Sequence, residues 1–162
     1  MMLVKTRVAM SPIEGLGIFA DEDIKKGAPT WKFIPGLDFL VEPAFVETLA
    51  SPMKEFCLRY AYMSPLSRRY VLCGDNARFM NHSDTPNTKG AYPDGEPEGM
   101  DVAIRDIAAG EELTCDYREF AGDISIHLAT IAAPPEPWMH GAAQRPVRRR
   151  RIAKNAEGPP AD

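Results

Sequence analysis

The chain has 162 residues, 44% of them hydrophobic, which suits one domain with a modest core. Cys57, Cys73 and Cys115 are widely spaced and form no Cys-x-x-Cys pair, so neither a zinc site nor a disulfide framework is indicated. The formal net charge is −4, yet residues 145–162 hold six Lys or Arg against two Asp or Glu; the acidic remainder weighs against a nucleic-acid-binding domain and suits a basic peptide, or is a solvated surface.

Residues 3–10 alternate partly and predict a first strand. Residues 11–17 form a turn before Ile18, Phe19 and Ala20, so Gly15-x-Gly17 lies between two strands. A phosphate-cradling loop of the dinucleotide type needs a helix after it, and none is predicted here; a plain β-turn is the alternative. Residues 21–27 are a charged turn. Residues 28–33 read as a strand with Trp31 and Phe33 on one face, where frequency favours core.

Residues 36–66 are less regular. Pro43 suits the first position of a helix running to Ala50. Ser51-Pro52 caps a second helix, with Met53, Phe56, Cys57 and Tyr60 at helical spacing. Residues 69–73 predict a strand, 74–76 a turn, 88–100 a Gly/Pro-rich loop, 101–104 a strand, 105–110 a turn and 112–115 a strand. Short strands with frequent turns indicate a mainly β, α+β fold. Beyond Tyr117, residues 120–131 read as a short helix stopped by Pro134-Pro135, with Trp138 docking back. Residues 141–162 are basic, then Gly/Pro-rich, and are expected to be disordered. No apolar run is long enough to span a membrane.

The run Arg78-Phe79-Met80-Asn81-His82-Ser83-Asp84-Thr85-Pro86-Asn87 stands out. Too many of its side chains need hydrogen-bond partners for a plain core strand. An Asx-type turn is one reading; a ligand site at Asn81 and His82 is the other. Asn81-His82-Ser83 also fits a glycosylation acceptor, but that needs a secreted chain, and the sequence reads as lacking a signal peptide. An intracellular protein, cytoplasmic or nuclear, is expected.

Three motifs occur in order: Glu14-Gly15-Leu16-Gly17 with Phe19 and Ala20, the Arg78–Asn87 run, and Gly110-Glu111-Glu112-Leu113-Thr114-Cys115-Asp116-Tyr117. Together they resemble the SET-domain family of S-adenosylmethionine-dependent protein lysine methyltransferases. The resemblance implies small curved sheets with a threaded, pseudoknot-like C-terminal segment, which strand patterns alone would not suggest. It implies a SET domain over residues 1–120 with a variable insert at about 36–66. Residues 121–140 would be a flank completing the lysine channel. Apart from the resemblance, the Arg148–Arg151 run in the basic tail at 141–162 gives a third, weaker reading, a nucleic-acid-associated protein holding RNA weakly.

The resemblance also implies roles. S-adenosyl-L-methionine would be bound by Glu14, Gly15, Leu16, Gly17, Tyr60, Arg78, Asn81, His82 and Tyr117. Tyr117 would be the catalytic residue, its hydroxyl beside the transferring methyl. Phe33, Tyr62, Cys115 and Phe120 would line the substrate channel, with Trp138 a further aromatic. The substrate would be a protein with a basic, lysine-containing segment, a histone or another basic protein. A catalytically silent module of the same fold, binding a basic peptide or the cofactor, is the alternative. Three departures stand out. Asp84 replaces a frequent Cys, in keeping with the missing zinc-binding cluster and an expectation of no metal. Cys115 replaces a Tyr or Phe that governs how many methyls fit. The flank must be built from residues 118–140.

Overall fold

A computed structural model describes residues 1–120. The helix over 120–131, Trp138 and the basic tail therefore lie outside the described residues, Phe120 excepted. Thr6–Met10 (β1) pairs antiparallel with Leu16–Ala20 (β2), Thr6 opposite Ala20 and Met10 opposite Leu16. The connection closes through Ser11 N–H donating to Gly15 O at 3.0 Å, and Gly15 takes φ +47°, a conformation that glycine enters without a Cβ penalty. Ser11 Oγ accepts from Ile13 N and Glu14 N and stiffens the turn.

Among the described residues there are three small sheets. The first has the order β1-β2-β10-β7, where β10 is Glu112–Cys115 and β7 is Asn81–His82. Leu113 of β10 faces Ile18 antiparallel, while Thr114 and Cys115 pair parallel with Asn81 and His82. The second holds Pro29–Lys32 (β3), Met100–Ala103 (β9) and Thr88–Ala91 (β8), with β9 central. The third holds Phe39–Val41 (β4), Tyr70–Leu72 (β6) and Ala61–Met63 (β5), with β6 central. Helices α1 (Pro43–Thr48) and α2 (Met53–Tyr60) lie between β4 and β5, and Pro43 begins α1 as expected. These mostly β, small-sheet features match the fold expected from the sequence.

Local differences have physical reasons. Ser51 does not cap α2 with a backbone bond; its hydroxyl pairs with the Glu55 side chain. The strands β4 and β5 are three residues each, too short to show alternation. Part of the loop expected over 88–100 is strand β8, with Thr88 opposite Ala103 and Ala91 opposite Met100. Gly90 hides that strand, since glycine is depleted in sheets. A Cβ at Gly90 would lie 3.0 Å from the Tyr92 hydroxyl, so a larger residue there would have to push that ring aside.

Two cores hold these sheets. Ile18, Ala20, Ile24, Met80, Ala103, Ile107, Leu113 and Cys115 form the larger. Each fully buried Ile or Leu there contributes roughly 1.5–3 kcal/mol. Trp31, Phe33, Val71 and Cys73 form the smaller. Asp38, buried beside the second core, accepts from Ile34 N and Gly74 N and ties β4 to the strand end after β6.

Candidate active site

A cavity of about 510 Å³ opens where α2, β5, β9, β10 and the turn after β10 converge. Tyr60, Tyr62, Arg78, Cys115, Tyr117 and Phe120 line it, so the structure brings these expected site residues together. Trp31, Arg59, Cys73, Met80 and Asp101 line it too, and of these only Met80 stands in a motif. Glu14, Gly15, Leu16, Gly17, Phe33, Asn81 and His82 are not in its lining. Phe33 is packed in the smaller core.

The residues outside the lining hold the wall. Asn81 Nδ2 donates to Glu14 O and Leu16 O, each at 3.2 Å, and to Glu112 Oε1 at 2.8 Å. Glu112 Oε2 accepts from Ser11 Oγ at 2.9 Å. Gly17 makes this possible: a Cβ there would sit 2.1 Å from Glu112 Oε1. Gly17 therefore admits a side chain of the protein itself, while a Cβ at Gly15 would meet open space. Asn87, 1% exposed, acts similarly on β10. Its Nδ2 donates to Glu112 O at 2.7 Å, and its Oδ1 accepts from Thr114 N at 2.8 Å. Its place in the run gave no hint of that, because the bonds reach a strand far along the chain.

His82 and Tyr117 form the junction of wall and cavity. Tyr117 N donates to His82 Nδ1 at 3.2 Å, which makes Nδ1 the acceptor and sets the ring's tautomer. The two rings are 5.5 Å apart. Asp84 and Asp116 approach the imidazole at 3.6 and 3.7 Å. Tyr117 Oη donates to Met80 O at 2.6 Å. Burial first, then the neighbouring Cys115 and Glu14, raise the pKa of Tyr117, so its hydroxyl keeps its proton at neutral pH. It can orient a partner but is no general base there. Burial likewise pushes up Cys115 and Tyr62.

An aromatic wall borders the cavity. Trp31 and Tyr62 meet edge to face at 6.3 Å, and Tyr62 and Phe120 lie 5.2 Å apart. On the other side Tyr60 packs edge-on against Phe79 at 5.8 Å, and the Arg78 guanidinium lies over the Phe79 ring at 5.2 Å. Arg59 reaches Glu14 at 3.8 Å, linking the cavity rim to the glycine turn. Arg59 and Arg78 give one end a cationic character suited to a carboxylate. Asp101 gives the aromatic end an anionic one. Aspartate is depleted in strands, so its position in β9 was a signal available in the sequence.

Comparison with known proteins identifies the family of this fold. The SET domain family model matches residues 15–118. Histone-lysine N-methyltransferase trr of Drosophila melanogaster is 32% identical over 141 residues, covering 82% of this chain and 6% of its own length. Human Histone-lysine N-methyltransferase 2D is 32% identical over 117 residues, covering 68% of this chain and 2% of its own length. The chain thus spans a small part of these relatives. A humanized mutant of the Chaetomium thermophilum Polycomb Repressive Complex 2, bound to an inhibitor, shares the fold. Its TM-score is 0.57 at 23% identity, over 75% of this chain and 16% of that one. With a family model matched from the glycine turn to the cavity's tyrosine, and relatives nearly a third identical across the same span, the chain belongs to the SET-domain family.

Proposed function

We propose that the chain transfers methyl groups from S-adenosyl-L-methionine to the side-chain amine of lysine in a protein. One observation carries the reading: Tyr117, from the last motif, lies in a cavity with a cationic rim at one end and an aromatic, anionic wall at the other. A volume of about 510 Å³ is in the range of small-molecule sites. The donor set fits the cofactor. Arg59 and Arg78 suit its carboxylate, Tyr60 offers a ring face, and Tyr117 keeps a protonated hydroxyl. Bound there, S-adenosyl-L-methionine supplies an electrophilic methyl group. The Glu14–Gly17 backbone, Asn81 and His82 belong at its edge in this reading. The Asn81 and His82 side chains bond to the wall, which fixes the position of the glycine turn and of Tyr117 beside it.

The protein's own work is alignment and exclusion of water. A lysine amine has an ordinary pKa near 10.4, and only its neutral form attacks. Burial between Trp31, Tyr62 and Phe120 lowers that value by desolvation. Tyr117 orients the amine, and its bond to Met80 O fixes the ring. Holding reactants in line is worth several kcal/mol. The acidic body suits a basic peptide, and the names of the relatives make core histones the first substrates to try. A nuclear location follows from that substrate. Among the described residues no helix is long and apolar enough to cross a membrane.

Calorimetry with S-adenosyl-L-methionine, followed by mass spectrometry of core histones incubated with both, tests the reading. Binding with transfer, lost in Tyr117→Phe, is expected. Binding without transfer to any histone would identify the silent module instead, and no binding would overturn the assignment of the cavity.

A further inference from the structure

Asp101 lies opposite Trp31 of β3 and opposite Gly90 of β8, so the three positions form one row across the sheet. Trp31, Tyr62, Pro65, Asp101 and Phe120 line both the main cavity and a small void beside it. They are the partition between the two. Glu119 closes the row, accepting from Gly90 N at 2.8 Å.

Among the described residues the Asp101 carboxyl makes no hydrogen bond and no ion pair. Trp31 Nε1, in the same row, is buried with no partner. The half-buried Asp101 carboxyl lines the cavity without meeting a donor among the described residues, and a buried polar group without a partner, such as this indole N–H, calls for a reason. The surroundings specify one. Three aromatic rings and one unpaired carboxyl fit a small cation with N–H donors on an apolar stem, which is an alkylammonium ion.

Resting on the methyltransferase reading, we propose that Asp101 pairs with the alkylammonium group of an entering lysine and accepts its proton. The step balances. The carboxylate takes H⁺ from R–NH₃⁺, leaving R–NH₂ with its lone pair exposed and a neutral carboxylic acid. After gaining a methyl group the nitrogen is cationic again and retains two protons. The proton on Asp101 passes to solvent as product leaves.

The electrostatics suit this role. Removal from water, then the Glu119 carboxylate, push Asp101 up to about 7, against the opposing charge of the Met1 ammonium. A group poised near the working pH is the effective proton acceptor. Tyr62, Cys73, Cys115 and Tyr92 nearby are shifted further into their neutral forms, and Glu98, which lines the void, is taken up by Ser67 and Arg69.

The test uses the full chain with ¹³C-labelled aspartate carboxyls and n-butylammonium chloride as the probe. One resonance titrating near 7, absent in Asp101→Asn and lowered in midpoint by n-butylammonium but not by sodium chloride, is expected. If no aspartate titrates above about 5, or the midpoint ignores the amine, the proposal fails. Should Asp101→Asn not fold, the wild-type titration still decides. With core histones and S-adenosyl-L-methionine, Asp101→Asn should be about a hundredfold slower at pH 7, closing the gap as pH rises, and Asp101→Glu should recover part of the rate. Equal rates and pH profiles in wild type and Asp101→Asn would also overturn it. If histones stay unmethylated while the amine still moves the midpoint, the methyltransferase reading fails and the ammonium site stands.

Discussion

Two regions carry polar side chains at close quarters, the Glu112 cluster beneath the glycine turn and the Asp101 row behind the aromatic wall. In the first, partners are supplied from within: Glu112 takes bonds from Asn81 and Ser11, and Asn87 clamps β10 on both sides. In the second, among the described residues, a buried indole N–H has no partner and a half-buried carboxyl lining the cavity makes no hydrogen bond or ion pair. A satisfied network specifies and rigidifies a fold. An unsatisfied pair lowers stability and holds interaction capacity in reserve for a ligand. The conspicuous motifs thus mark the scaffold, and the reserve sits on residues that no motif names.

The sharpest way to break the contrast is to remove the reserve. An unfolded aspartate ionises near 3.9, while native Asp101 does so at about 7. The native state therefore holds an extra proton between those values. Its contribution to stability is complete below about pH 4 and is lost as pH rises to 7. Asp101→Asn should match wild type in urea unfolding at acid pH and exceed it at pH 8, by on the order of 2–4 kcal/mol. Equal stability at pH 8 would mean the carboxyl has a partner after all.

In the satisfied region the sign reverses. Asn87→Ala strands Glu112 O and Thr114 N in the interior and should cost about 3 kcal/mol in urea unfolding. A loss below about 0.5 kcal/mol would show that the clamp is dispensable. A milder test couples Gly17 to Glu112. Gly17→Ala displaces the carboxylate from its pocket and should cost about 1–2 kcal/mol. In a Glu112→Ala background the same change should be nearly neutral, a non-additivity that a double-mutant cycle reads directly. Additive costs would place the conflict elsewhere.

The smallest change in stability concerns Cys115, which lines the cavity from β10. Cys115→Tyr should alter stability by about 1 kcal/mol, because the ring can enter the cavity. If the chain is active, wild type should add more than one methyl, since cysteine leaves room and is a weak donor. The variant should shift product towards monomethyl by mass spectrometry. A wild type that halts at monomethyl, with unchanged product from the variant, would remove Cys115 from the question of methyl number.

Much of the fold was legible because it depends on short-range signals. Pro43 announced α1, and the three motifs announced the family. The strand β8 was not legible, because Gly90 interrupts it with a residue that sheets disfavour. Within the site, Tyr60, Tyr62, Arg78, Cys115, Tyr117 and Phe120 reached the cavity from sequence reading alone. Asp101 did not: an aspartate in a strand was a signal, but that its carboxyl meets no donor among the described residues is not written in the sequence. Asn87 and Glu112 were invisible as a pair for the opposite reason: their bonds cross between distant segments.

The arrangement of β10 also has a bearing on time. Glu112 reaches Ser11, 101 positions earlier, and Asn81, 31 positions earlier. Contacts of such separation are slow to form, because the loop between them must be ordered before any bond rewards it. On a ribosome the glycine turn, β2 and the Asn81 strand would emerge early and wait, with the slot between β2 and β7 open, until the Gly110–Tyr117 segment arrived. Until then the facing edges of β2 and β7 carry unpaired backbone groups that a neighbouring chain can meet.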